Sequence, residues 1–260
     1  MPVENPSQNK YRKLPKIVFA AQSFYPLLGG AEHTAHIILK ELARHGYPVE
    51  AVCMGKPESF KLDEIQVLRV SNSKELCKAV ERAQPGVLIT QLSLASSVVQ
   101  QAKSLGVPVM LSIPSMDPVC AAPAYVYSCN RGCKQCAHWI ARKDFMESQR
   151  RAAESADVVF CCSRFLAGII RDFYGIAADV WYPPVDFTPD YIGPSEPGAR
   201  KYITMCTAML FKGAQTFAGI ASRMPDERFL IAGRGNPGSF GLDTHHNVDC
   251  WPDIKPRVFN

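Results

Sequence analysis

Short apolar runs alternate with helix-patterned segments along most of this chain, and the connections between them are only a few residues long. "KIVFAA" (Lys16–Ala21), "PVEAVCMG" (Pro48–Gly55), "GVLITQ" (Gly86–Gln91), "VPVMLSIP" (Val107–Pro114) and "DVVFCCS" (Asp157–Ser163) are apolar almost throughout. A strand with one wet face alternates polar and apolar residues, whereas a strand covered on both faces does not. Between these runs lie a segment with Ala35, Ile38, Leu39 and Leu42 at helical spacing, then "SKELCKAVERAQP" and "LASSVVQQAKSLG". Buried strands alternating with helices imply parallel pairing with helices on both faces. The expected fold class is therefore α/β, with a doubly wound, Rossmann-like parallel sheet spanning residues 16–186. "IQVLRV" (Ile65–Val70) adds a strand, and "ADVWYPPVD" (Ala178–Asp186) reads as another that leaves through a rigid Pro-Pro exit. "HWIARKDFMESQRRAAESA" (His138–Ala156) reads as one long helix and "RFLAGIIRDFYG" as another.

After the Pro/Gly-rich stretch 187–200 the rhythm restarts with "YITMCTAML", "FKGAQTFAGIASRMP", "RFLIAGRG" and "VDCW". Residues 201–260 thus read as the start of a second Rossmann-like domain, thin for a sheet covered on both faces. Residues 1–15 are polar and basic with no apolar core, a flexible arm rather than a secretory signal. With 47% hydrophobic and 20% charged residues the chain reads as soluble and globular, and no apolar run reaches the roughly 18–20 residues of a membrane span. A net charge of +5 suits an anionic ligand or a weak association with an acidic membrane surface. Nucleic acid is not an expected partner. Ten cysteines in a chain of this size without a leader point to reduced thiols and a cytoplasmic location.

In an open parallel sheet, ligands bind beyond the carboxyl ends of the strands. The first such loop is "SFYPLLGGAEH", in which Gly29 and Gly30 leave the N–H groups of a helix start open to an anion. The matching loop in the second half, "AMLFKGAQ", sets Lys212 before Gly213. A third, "IAGRGNPG", sets Arg234 between glycines. All three suit a phosphate or a nucleotide.

The ordered set "FYPLLGGAEHTAHIILKELARHGYPVEAVC", "ADVVFCCSRFLAGII", "VWYPPVDF", "FKG" and "MPDERFLIAGRG" resembles the retaining, nucleotide-sugar-dependent glycosyltransferases of family 4. That resemblance implies two facing Rossmann-like domains, the GT-B fold, and no cofactor required for catalysis. It implies that Gly29, Gly30 and Lys212 bind the donor diphosphate, that Arg234 borders the nucleotide, and that Pro183–Asp186 forms the crossing between domains. The acceptor would be a glycan, a lipid or a small molecule. Relatives carry an E-x7-E stretch further along; this sequence ends before it, as an N-terminal fragment would. Many relatives also place a His after the strand matching "VMLSIP". Here "SIPSMDPVC" offers Asp117 instead, which reads either as a catalytic substrate contact or as a turn residue before Pro118. A GT-B-like binding or scaffold protein is the alternative from a different class.

Residues 117–138 carry the remaining feature, Cys120, Cys129, Cys133 and Cys136 in C-x8-C-x3-C-x2-C spacing. Four thiolates in one loop suit a tetrahedral structural zinc, with His138 as a spare ligand. Free thiols or an incidental disulfide are the other reading. The C-x3-C-x2-C trio also matches an iron–sulfur radical enzyme, but too few strand–helix units follow it for such a barrel. The segment is similar to a cysteine-bearing insertion found in some family 4 relatives.

Overall fold

The structure is a computed structural model that describes residues 14–26, 29–91, 95–116, 119–120, 136–185, 201–233 and 235–252. These residues form two compact units, one running to 185 and the other from 201.

The first unit is built on an eight-stranded sheet. Its strands are β1 (Ile17–Ala21), β2 (Val49–Met54), β3 (Glu58–Leu62), β4 (Ile65–Val70), β5 (Val87–Gln91), β6 (Val109–Ile113), β7 (Val158–Cys161) and β8 (Asp179–Val180), in the order β3-β4-β2-β1-β5-β6-β7-β8. All pairs are parallel except β3 with β4. All five residues of β1 are buried, as its unbroken apolar run predicts for a central strand.

Helices α1 (Gly30–Arg44), α2 (Ser73–Ala83), α3 (Ala95–Ser104), α4 (Ala137–Ala141), α5 (Lys143–Ser155) and α6 (Arg164–Tyr174) connect these strands. On one face of the sheet, Ala35 and Leu39 of α1 pack against Phe19, Ala51 and Val67. On the other, Leu76 and Val80 of α2, Val98 and Val99 of α3, Ala152 and Ala153 of α5 and Leu166 and Ile170 of α6 cover Val18, Ala20, Val52 and Leu111. Right-handed crossovers demand this division, because the helical crossover from β1 to β2 steps one way along the sheet and every helical crossover from β4 onward steps the other way. The winding reverses between β1 and β5.

The helix ends follow local chemistry. Asn72 Oδ1 accepts from the Glu75 N–H at 3.0 Å and Ser163 Oγ from the Leu166 N–H at 3.2 Å, each satisfying an otherwise free donor. Helix α6 stops at Gly175, whose φ of +73° is the left-handed C-terminal conformation.

Two features depart from the sequence reading. Strand β3 was not expected: "ESFKL" is mostly exposed, with only Phe60 and Leu62 half-buried on alternate positions. It pairs antiparallel with β4 through a two-residue turn, Asp63–Glu64, in which Asp63 takes φ +50°. The helix expected over 138–156 is two helices, because Arg142 leaves helical geometry at φ −117° and ψ 21°.

The second unit has three parallel strands, β9 (Ile203–Cys206), β10 (Phe229–Ala232) and β11 (Val248–Trp251), in the order β11-β10-β9. Helix α7 (Ala214–Arg223) connects β9 to β10 and buries Ala214 against Met205, Ile231 and Leu242. Buried Asn247 donates to the carbonyls of Ala221, Met224 and Glu227 at 3.0–3.2 Å, which closes the end of α7. No helix among the described residues is long and apolar enough to cross a membrane.

Candidate functional site

The reversal between β1 and β5 marks where a doubly wound sheet takes its ligand, beyond the strand ends. The segment leaving β1 there carries Gly29 and Gly30. It begins by folding onto the sheet: Phe24 is fully buried, its ring 5.7 Å from that of Phe19. Tyr25 then stacks on the imidazole of His36 in α1, with centroids 4.5 Å apart and planes within 5°. His36 Nε2 lies 2.8 Å from Asp63 Oδ2, at the tip of the β3–β4 turn. Ser23 Oγ donates to Glu32 Oε1 at 2.5 Å.

Gly29 is the N-cap of α1, extended at φ −153°, and its carbonyl accepts the first helical bond from the His33 N–H at 3.0 Å. A Cβ at Gly29 would run into the Glu32 carboxylate, whereas one at Gly30 would meet nothing within 4 Å. The two glycines thus differ: at 29 the protein's own carboxylate needs the space, and at 30 the space is open.

The second unit builds a helix start by other means. After β9, Thr207 takes φ +66°, an outlier for a β-branched residue, while its N–H donates to the Ala232 carbonyl at 2.9 Å. A single 3-10 turn, Leu210–Lys212, leads into Gly213 at φ +87°, the N-cap of α7. Lys212 is exposed at this helix start. After β10 the chain turns through Gly233 at φ +92° and Gly235 at φ +156°. A Cβ at Gly235 would lie 2.7 Å from both the N and the O of Ala208, so only glycine fits there. The Asn236 N–H reaches the Ala208 carbonyl at 3.4 Å. The loop bearing Lys212 and the loop flanking position 234 are therefore packed against one another.

Of the residues singled out from sequence, Gly29 and Gly30 lie together at one helix start, and Lys212 lies at another in the second unit. Arg234, Asp117, Cys129 and Cys133 lie outside the described residues. Beside Asp117, the Met116 carbonyl accepts from the N–H groups of Val119 and Cys120 at 2.9 and 2.8 Å. Cys120 and Cys136 are half-buried free thiols, and Cys136 packs against Met146, as does Phe173. Among the described residues no group of three or more His, Cys, Asp or Glu side chains is arranged to hold a metal. Cys161, buried at the end of β7, has its thiol pushed up to about 11 by burial and by the neighbouring Cys162. That makes it a poor nucleophile, and a structural residue.

Sequence reasoning missed Ser23, Tyr25, His36 and Asp63 around the first loop, and Thr207 in the second. The His36–Asp63 contact spans 27 positions and carries no local signature.

The sequence model described as Glycosyltransferase Family 4 matches residues 28–188. No curated protein matches the chain. Among solved structures, HepE of Anabaena in complex with UDP is 14% identical, with a TM-score of 0.62 over 94% of this chain and 70% of that one. An α,α-trehalose-phosphate synthase (UDP-forming) from Burkholderia xenovorans, in complex with glucose-6-phosphate, is 9% identical, with a TM-score of 0.60 over 94% of this chain and 76% of that one. UGT89C1 of Arabidopsis thaliana, complexed with UDP-L-rhamnose, is 11% identical, with a TM-score of 0.55 over 95% and 72%. At these identities the structures speak for the fold, GT-B, with two Rossmann-like halves. The sequence match extends from the glycine loop to the end of the first unit, well over half of the chain, and on that ground this protein belongs to glycosyltransferase family 4.

Proposed function

We propose that this chain moves a sugar from a nucleoside-diphosphate donor to an acceptor with retention of anomeric configuration. In that reaction the bond from the anomeric carbon to the diphosphate oxygen breaks. A bond to an acceptor oxygen forms on the same face, and the proton of that hydroxyl passes to the departing diphosphate oxygen. The chemical demand is stabilisation of a departing diphosphate, which helix starts and an ammonium group supply without a metal. Gly29 and Gly30 at the start of α1, and Lys212 at the start of α7, are assigned to the diphosphate. Arg234 is assigned to the nucleotide, and Asp117 to a catalytic contact with the substrate.

The observation that carries this reading is the Gly29–Gly30 helix start beside the reversal of the sheet, in a segment within the family match. Support for the nucleotide comes from the similar structures, several of which hold UDP or a UDP-sugar. The acceptor class is a glycan, a lipid or a small molecule, met in the cytoplasm or at an acidic membrane surface. The eight described cysteines are all free, which fits a reducing compartment. A structural zinc on Cys120, Cys129, Cys133 and Cys136 is a separate proposal, tested by elemental analysis: one zinc per chain supports it, and metal-free folded protein removes it.

The test of the main reading is calorimetric titration of the whole chain with UDP. Binding that weakens about tenfold in Lys212→Ala, near 1.4 kcal/mol, is the expected result. Absence of binding by UDP and by the other nucleoside diphosphates would favour a scaffold that keeps the fold without the chemistry.

A further inference from the structure

Glycines cannot hold themselves in place. They have no side chain to pack, and they lose more conformational freedom on ordering than any other residue. A Gly-Gly helix start that receives an anion must therefore be fixed by its neighbours, and the value of such a site lies in being fixed before the ligand arrives.

The neighbours here form a chain of contacts that starts far away. Asp63 stands in the two-residue turn joining β3 to β4, in the left-handed region at φ +50° that Asp and Asn tolerate. Its carboxylate meets His36 Nε2 at 2.8 Å, which fixes the rotation of an imidazole only 8% exposed. The imidazole plane is the platform for Tyr25, parallel within 5° at 4.5 Å, while the Phe24 ring meets the imidazole edge-on at 6.1 Å. Tyr25 stands four residues before Gly29, and on the other side the Ser23–Glu32 hydrogen bond joins the start of the segment to the first turn of α1. The edge hairpin thus reaches the glycine loop through two aromatic side chains.

We infer that Tyr25, His36 and Asp63 are positioning residues for the Gly29–Gly30 helix start, and that the β3–β4 hairpin sets how tightly that start binds a nucleoside diphosphate. The inference rests on the assignment of Gly29 and Gly30 to the donor diphosphate. A packing role alone would lower melting temperature in proportion to any loss of binding. A positioning role lowers binding with little change in melting, and the conservative variant restores it.

The experiment uses the whole chain and four variants, Tyr25→Leu, Tyr25→Phe, Asp63→Ala and Asp63→Asn. Each is read by melting temperature, by UDP affinity and, without ligand, by hydrogen exchange of the amides of residues 33 and 34, the first in α1 with a helical acceptor. Tyr25→Leu and Asp63→Ala are expected to weaken UDP five- to tenfold and to speed exchange at 33 and 34 while the rest of α1 stays protected. Tyr25→Phe keeps the stack and Asp63→Asn keeps an acceptor, so both stay within twofold of wild type. Wild-type exchange at 33 and 34 in Tyr25→Leu and Asp63→Ala would overturn the inference. So would a fall in UDP affinity that Tyr25→Phe fails to restore. If the wild type binds no UDP, the diphosphate assignment fails while hydrogen exchange still decides whether the brace exists. A variant that loses its cooperative melt is replaced by His36→Gln, which keeps a donor for Asp63 and removes the platform for Tyr25.

Discussion

The two helix starts of this protein face one physical problem and meet it with different materials. In the first unit the backbone at Gly29–Gly30 has ordinary torsions, and side chains from α1 and the β3–β4 hairpin secure the segment around it. In the second unit almost nothing but backbone is used: Thr207, Gly213, Gly233 and Gly235 all have positive φ, and Gly235 lies directly against the Ala208 peptide. A loop secured by side chains loses its position gradually as contacts are trimmed. A loop secured by interlocked backbone tolerates its own residues or fails. The two loops should therefore answer mutation in opposite ways.

Gly235→Ala tests the second half of that statement and carries the largest effect. A Cβ 2.7 Å from the Ala208 N and O cannot be relieved by a side-chain rotation, and φ +156° is strained for any other residue. A loss of roughly 3 kcal/mol in the unfolding of the second unit is expected, with UDP binding abolished. Denaturant melts followed at Trp251, the only Trp of this unit among the described residues, would read it. A near-wild-type melt would mean that the Gly235–Ala208 contact does not hold the loop.

Gly30→Ala comes next and inverts the readout. Its Cβ meets nothing within 4 Å and the position is the first residue of a helix, where alanine is favoured over glycine. Stability should stay within about 0.5 kcal/mol of wild type. On the proposed assignment of Gly30 to the diphosphate, the added methyl would stand in the ligand's path, and UDP affinity should fall more than tenfold. Unchanged binding would remove Gly30 from the site and leave the comparison between the loops without its first member.

What was legible from sequence follows the same division. The parallel sheet could be read because β1, β2, β5, β6 and β7 are covered on both faces, with no exposed residue, and so carry nearly unbroken apolar runs. Strand β3 could not, because an exposed edge strand needs no such run; its signal was the alternation of Phe60 and Leu62 before Asp63–Glu64. The break at Arg142 left no trace, since every residue from 138 to 156 is an acceptable helix former. The placing of Gly29, Gly30, Lys212 and Gly213 at helix starts was readable, because a strand, a glycine and a helix start are all local patterns. The Tyr25–His36–Asp63 brace was not, because it joins a loop, a helix and a hairpin that only the tertiary fold brings together.

Two strand-end thiols sharpen the contrast between the units at a smaller scale. Cys161 ends β7 fully buried, with its thiol raised to about 11, chiefly by burial, whereas Cys206 ends β9 exposed. Iodoacetamide at pH 8 should label Cys206 within minutes and leave Cys161 unmodified until denaturant is added. The raised folded value also means that Cys161 stabilises the fold fully below its unfolded value of 9.0, and that this contribution is lost as pH rises through about 11. Early labelling of Cys161 in native protein, read by peptide mass, would show that the end of β7 opens as freely as the end of β9.

The smallest effect concerns the opposite end of the first sheet. Asp157 precedes β7, where its carboxylate receives Lys103 Nζ at 2.8 Å and the Val109 N–H at 2.7 Å, so it links the end of α3 to the start of β6. The Lys103 hydrogen bond, and after it the Val109 N–H, hold this carboxyl below its ordinary 3.8. A depressed folded value gives a contribution that is complete above the unfolded value and is lost as pH falls through the folded one. The group is nearly half exposed, so the salt-bridge share is screened and the whole effect should stay under about 1 kcal/mol. Asp157→Asn keeps an acceptor for the Val109 N–H and discards the charge. The stability gap between wild type and this variant should therefore be open at pH 6 and close below pH 3.8, at low salt more than at high. A gap that stayed constant with pH would mean that Asp157 holds the base of the sheet through the Val109 hydrogen bond alone, by the same backbone-centred means as the loops of the second unit.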